Sequence, residues 1–179
     1  AAAREAVDFS VFTARDVECA LDKQTITPVD LAALLSPAAA PYLEPMAQRA
    51  KALTAAHFGN SVGLYTPLYI ANFCVNHCVY CGFNCKNQIN RGKLTEEEIH
   101  RELSAIAKTG LKEILLLTGE AKSQSNVAYI GRAVEIAREY FSTIGIEVYP
   151  MDVEEYAYLH KKGADFVSVY QETYDQIRY

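Results

Sequence analysis

Apolar residues recur along this chain with two different periods, and the change comes near residue 64. Up to that point the spacing is helical. Thr13 is placed to cap a helix over Ala14 to Leu21, and Thr27-Pro28 supplies a cap followed by proline at the first helical position of a short helix over Val29 to Leu35. Ser36-Pro37 stops that helix. Pro41 and Pro45 are expected to break the residues that follow, and a third helix carries Met46, Ala50, Leu53 and His57 as far as Gly59-Asn60.

From Leu64 onward, apolar runs of strand length alternate with amphipathic stretches. Leu64 to Ala71 reads as a first strand. Thr95 and Glu98 form a capping box for a helix whose apolar face is Ile99, Leu103 and Ile106, and Gly110 stops it. Glu113 to Leu117 is a short continuous apolar run, the pattern of a strand buried on both faces. A helix over Val127 to Phe141 and a strand over Ile144 to Tyr149 follow. Asp152 caps a helix from Val153 to Lys162 that Gly163 ends, and Asp165 to Tyr170 is a fourth strand.

Four strands joined by three helices in short units imply an α/β fold with right-handed crossovers and a parallel sheet. The expected organisation is a helical N-terminal extension, residues 1–63, before a β/α region, residues 64–179. A closed eight-stranded barrel takes roughly 250 residues, and the chain ends 115 residues after Leu64. The expectation is therefore about the first four strands of a barrel, a truncated front half. Functional residues in such sheets gather beyond the C-terminal strand ends.

Composition narrows the function by exclusion. The chain is 50% hydrophobic and 22% charged, which argues against disorder. A formal charge of -5 with no Lys/Arg block argues against nucleic acid as a partner. No apolar run approaches the length of a membrane span, and the opening residues lack the apolar region of a secretory signal. Five cysteines, four of them between Cys74 and Cys85, suit metal better than disulfides and point to a reducing, cytoplasmic compartment. Cys19, alone in a helical stretch, reads as a buried small hydrophobe, and His57 as a helix-end histidine.

The chemistry concentrates after the first strand. Cys74, Cys78 and Cys81 are spaced Cys-x3-Cys-x2-Cys. Thiolates suit iron–sulfur clusters and zinc. Three of them leave one iron of a [4Fe-4S] cubane open to an outside ligand. Cys85 lies four residues further on and could close the site, so a non-catalytic four-cysteine iron–sulfur or zinc module stands as the alternative. His77 sits in the first gap but is not needed as a ligand. Asn72, Asn76, His77 and Asn84 make the loop polar and could hydrogen-bond cluster sulfurs, and Phe83 could shield the cluster. Thr118-Gly119-Glu120 follows the second strand, and Gln171-Glu172 follows the fourth.

With Tyr80 directly before the third cysteine, this motif resembles the radical S-adenosylmethionine (SAM) signature. LYTPLYIANFCVNHCVYCGF (64–83), LLLTGE (115–120) and VYQETYDQIRY (169–179), with LLSPAAAPYLEPMAQRA (34–50) and HFGN (57–60), resemble the tyrosine lyases of thiamine biosynthesis, the 2-iminoacetate synthases. The resemblance implies a radical SAM TIM-like (β/α) barrel with a [4Fe-4S] cluster on Cys74, Cys78 and Cys81. It places SAM at the open iron, with Tyr80 near the adenine. Gly119 and Glu120 would hold the amino end, and Gln171 and Glu172 the ribose or methionine end. The implied reaction is reductive cleavage of SAM, then Cα–Cβ cleavage of L-tyrosine to 2-iminoacetate and p-cresol, with 5′-deoxyadenosine and methionine. Implied partners are thiazole synthase and an electron donor such as flavodoxin or ferredoxin. Residues that grip tyrosine are not identifiable and are assigned to later strands. The nearest relative reading is the tyrosine-cleaving maturase of [FeFe]-hydrogenase, which carries a second cluster in a C-terminal domain.

Overall fold

The structure is a computed structural model that describes residues 7–169. It divides into two compact units, Ala1–Val62 and Gly63–Tyr179. No helix among the described residues is long and apolar enough to cross a membrane.

The first unit is helical, as the pattern predicts. A 3-10 turn over Phe9–Val11, which the pattern does not announce, is capped by Asp8. Helices α1 (Ala14–Asp22) and α2 (Pro28–Leu34) both open on capping boxes, Thr13 with Asp16 and Thr27 with Asp30. Lys23 Nζ lies 2.7 Å from Asp30. That bond, with those from Thr27, holds the Asp30 carboxyl at about 2. A 3-10 segment, Pro37–Tyr42, leads into α3 (Leu43–Phe58). Pro45 does not break the chain here. It is the third residue of α3, where a backbone amide has no intrahelical acceptor to lose. Cys19 also departs from expectation: it is exposed, because α1 buries Val17 and Ala20 and turns position 19 outward.

The second unit is a four-stranded parallel sheet in the order β1-β2-β3-β4, with a helix in each connection. The strands are β1 (Tyr65–Ala71), β2 (Glu113–Thr118), β3 (Thr143–Glu147) and β4 (Phe166–Ser168). The helices are α4 (Glu96–Ala107), α5 (Val127–Arg138) and α6 (Val153–Lys162). Ile70, Ile114, Leu116, Ile144 and Ile146 form one face of the sheet. They pack with Ile99 and Leu103 of α4, Ile130 and Val134 of α5, and Leu159 of α6 in a single core.

The pleat sends the alternate residues to the opposite face. Tyr69, Leu117, Glu147 and Ser168 are in register across all four strands and form one row near their C-terminal ends. In the row toward the N-terminal ends, Gly145 opposes Phe166 and leaves room for its ring, which a Cβ at 145 would strike.

Element ends shift where side chains tie the chain elsewhere. α5 ends at Arg138 rather than Phe141, although Phe141 still donates its amide to Ala137 at 2.9 Å and is buried. Val148 and Tyr149 stay buried but leave the β3 ladder, and the Tyr149 hydroxyl donates to the Ser125 carbonyl at 2.7 Å. Asp165 does not join β4. Its carboxylate accepts from the Ile144 amide at 2.7 Å and from Arg138 Nη2 at 2.6 Å, tying the starts of β3 and β4 together. Tyr170 lies outside the described residues.

Candidate cofactor site

The cysteine loop begins where β1 loses its regular pairing. The register with β2 shifts between Tyr69 and Ala71, and Ala71 makes an isolated antiparallel bridge to Lys93. Chain leaving and returning are sewn together there. The Asn72 amide donates to the Gly92 carbonyl at 3.1 Å, the Gly92 amide to Asn72 Oδ1 at 2.7 Å, and Asn72 Nδ2 to the Asn90 carbonyl at 2.8 Å.

Inside the loop the cysteines sit on tight turns. The Cys81 amide donates to the Cys78 carbonyl at 3.1 Å, and Asn84 Nδ2 reaches the same carbonyl at 3.0 Å. The Cys85 amide donates to the Asn76 carbonyl at 2.9 Å. The carboxamides that could reach cluster sulfurs each donate to protein: Asn72 to the Asn90 carbonyl, Asn84 to the Cys78 carbonyl, and Asn76 to the Glu120 carboxylate. Cys85 Sγ lies 2.8 Å from His77 Nδ1.

The segment after β2 is built around this loop. A Cβ at Gly119 would collide with the Phe73 carbonyl oxygen and stand 3.0 Å from Cys74 Cβ. The absence of a side chain at 119 therefore serves the close approach of the cysteine loop. Glu120 is held at both ends by that loop: its carbonyl accepts from the Val75 amide at 2.9 Å and its Oε2 from Asn76 Nδ2 at 2.7 Å.

Two neighbouring cavities open here. One, of about 250 Å³, is lined by Cys78, Tyr80, Cys81 and Glu120. The other, of about 330 Å³, is lined by Cys74, Cys81, Phe83 and Gly119, with Phe83 edge-on to Tyr69 at 5.3 Å. Cys81, Thr118 and Glu147 line both. Tyr149 lines the first, and burial, reinforced by the Glu155 and Glu120 carboxylates, pushes its hydroxyl pKa up. Cys85 lines a third cavity, of about 240 Å³, together with Cys74 and Arg91.

Cys74, Cys78, Cys81, Tyr80, Gly119 and Glu120 are thus brought together at one end of the sheet. Gln171 and Glu172 lie outside the described residues. No three His, Cys, Asp or Glu side chains among the described residues are grouped to hold a metal ion. Three thiols lining adjoining cavities suit a cubane, which spreads its ligands over separate iron atoms, better than the convergent tetrahedron of zinc. The Thr118 hydroxyl adds a second sign of a ligand, since its oxygen is buried without a hydrogen-bond partner between those cavities. The residues fit an iron–sulfur cluster with a small polar ligand beside it.

Sequence reasoning missed Glu147, and the signal was present: it is the one charged residue in the apolar run Ile144 to Tyr149. Arg91 and the link from Asn76 to Glu120 carried no such signal.

Comparison with known proteins agrees with this chemistry. The family model of the radical SAM superfamily matches residues 68–179. The chain is 49% identical over 167 residues to a 2-iminoacetate synthase of Salmonella typhimurium, covering 93% of this chain and 44% of that protein. It is 35% identical over 154 residues to a 3-methylornithine synthase of Methanosarcina acetivorans, covering 84% of this chain and 43% of that one. A crystal structure of HydG, a maturase of the [FeFe]-hydrogenase, superposes with a TM-score of 0.84 at 29% identity, covering 93% of this chain and 39% of that one. The chain thus spans less than half the length of each. With the matched segment running from β1 through the cysteine loop and the sheet, the chain belongs to the radical SAM superfamily, whose cofactors are a [4Fe-4S] cluster and SAM.

Proposed function

We propose that this chain is the cluster- and SAM-binding part of a carbon–carbon lyase that cleaves L-tyrosine between Cα and Cβ. The products are 2-iminoacetate and p-cresol, with 5′-deoxyadenosine and methionine. The observation that carries the reading is the 49% identity to a 2-iminoacetate synthase across nearly the whole chain, with Cys78, Cys81 and Glu120 lining one cavity and Cys74 its neighbour.

When bound, the reduced cluster and SAM supply a 5′-deoxyadenosyl radical. The chain's own residues hold and shield. Cys74, Cys78 and Cys81 would ligate three irons. Glu120, fixed by Val75 and Asn76, would present its carboxylate to the amino group of SAM. Tyr80 lines the same cleft and would pack on the adenine. Gly119 brings the strand end up to the loop, and Gln171 and Glu172 would complete the ribose or methionine side. Phe83 and Tyr69, edge-on to each other, line the second cavity. Glu147 and Thr118 line both cavities, and an amino-acid substrate would lie beside them for its amino hydrogen to be taken. An electron donor of the flavodoxin or ferredoxin kind feeds the cluster, and thiazole synthase would take the unstable imine.

Anaerobically reconstituted protein reduced with dithionite should show a [4Fe-4S] EPR signal that changes on adding SAM. Joined to the later strands of a full-length 2-iminoacetate synthase, of which this chain covers 44%, it should form p-cresol when tyrosine is added. A signal indifferent to SAM, or SAM cleavage without p-cresol in the joined protein, defeats the proposal. The fold likeness to HydG supports a second reading, in which tyrosine cleavage feeds a maturase. Carbon monoxide and cyanide would then be released instead of the imine.

A further inference from the structure

The loop from Asn72 to Asn87 contains no helix and no strand, so other groups must hold its backbone in place. Much of that work falls to one side chain. Arg91, half-buried, donates through Nη1 to the carbonyls of Asn72 at 2.7 Å and Phe83 at 2.8 Å. Through Nη2 it donates to the carbonyls of Asn84 at 2.7 Å and Asn87 at 3.4 Å. A single guanidinium thus bridges the residue two before Cys74 and the turns just after Cys81. It also lines the cavity shared by Cys74 and Cys85.

Only arginine can do this. Its planar fork offers several donors in fixed directions and keeps its charge, whereas lysine brings a single point of donation. We infer that Arg91 is a positioning residue for the iron–sulfur cluster: it clasps both ends of the cysteine loop and sets a permanent positive charge beside it. Two consequences follow from chemistry. The clasp holds the loop near its ligating form before iron arrives, so the bound cluster is retained. The charge favours the reduced cluster, which carries one more electron, and raises its potential. The inference rests on the family's cluster, not on tyrosine as substrate, and its readouts need no substrate.

The test compares Arg91→Lys and Arg91→Gln with the parent after anaerobic reconstitution. Iron release to excess chelator and the midpoint potential, followed by EPR-monitored titration, are measured. Both variants should lose iron faster, by roughly ten- to a hundredfold. Arg91→Gln should titrate at a more negative potential, while Arg91→Lys stays with the parent. If Arg91→Gln fails to give the parent's circular dichroism, Arg91→Met replaces it as the neutral variant. Iron retention like the parent's in both variants overturns the clasp, and a neutral variant with the parent's potential overturns the charge.

Discussion

At the scale of single residues, the site turns on what Gly119 lacks. A methyl group there meets the Phe73 carbonyl, which is backbone and cannot swing aside, and crowds Cys74. Gly119→Ala should therefore destabilise the protein by about 1–3 kcal/mol, as overpacking does, and displace the cysteine loop. Urea denaturation reads the first effect, and iron content after reconstitution reads the second. Unchanged values for both would mean that the loop relaxes freely. The cysteines themselves were legible in the sequence because their spacing within one short loop is itself the chemical signal. The partners of that loop were not. Asn76 meets Glu120 across 44 residues, and Tyr129 bridges the Ile70 and Leu94 carbonyls across 59 and 35. Such pairings depend on the register of the sheet and leave no local trace. Glu120→Gln tests the Asn76 link: the Asn76 carboxamide keeps an oxygen to donate to, so the cluster should be retained. SAM affinity should fall, since the neutral amide no longer pairs with the ammonium. Equal SAM binding by titration would remove Glu120 from the cofactor's contacts.

At the scale of elements, legibility follows the range of the interaction. Capping boxes at Thr13, Thr27, Thr95 and Asp152 act over three residues, and the helix starts they predict hold. Thr95→Ala removes the acceptor for the Glu98 amide and should cost about 1 kcal/mol, a modest shift in the urea midpoint with m unchanged. Strand ends were less legible, because side chains far apart in sequence set them, as Asp165 does for β3 and β4. Burial alone would raise the Asp165 pKa, but the Ile144 amide and the Arg138 guanidinium outweigh it and hold the carboxyl below its ordinary value of 3.8. The folded state favours the ionised form, so this tie contributes fully above the unfolded value and fades as pH falls below it. Asp165→Asn should flatten that part of the acid limb of the stability curve, and an identical limb in the variant would exclude the tie as its source.

At the scale of the whole molecule, the second unit has a sheet with unlike faces. Helices cover one, while the other carries the row Tyr69, Leu117, Glu147 and Ser168 beneath the cysteine loop. The parallel order was legible because strands and helices alternate in units too short for anything but crossovers. What the loop's fourth cysteine does was not, because spacing alone lets Cys85 ligate. In the fold, Cys85 is exposed, pairs with His77 and lines a different cavity from Cys78 and Cys81. An open site predicts that Cys85→Ala assembles the same cluster, gives the same reduced EPR spectrum and responds to SAM as the parent does. A closed four-thiolate site predicts the reverse. The parent would be blind to SAM, and the variant, with an iron newly exposed, would either respond or lose the cluster. The parent and variant spectra, each recorded with and without SAM, therefore decide whether this end of the sheet presents an iron to a substrate or only stores an electron.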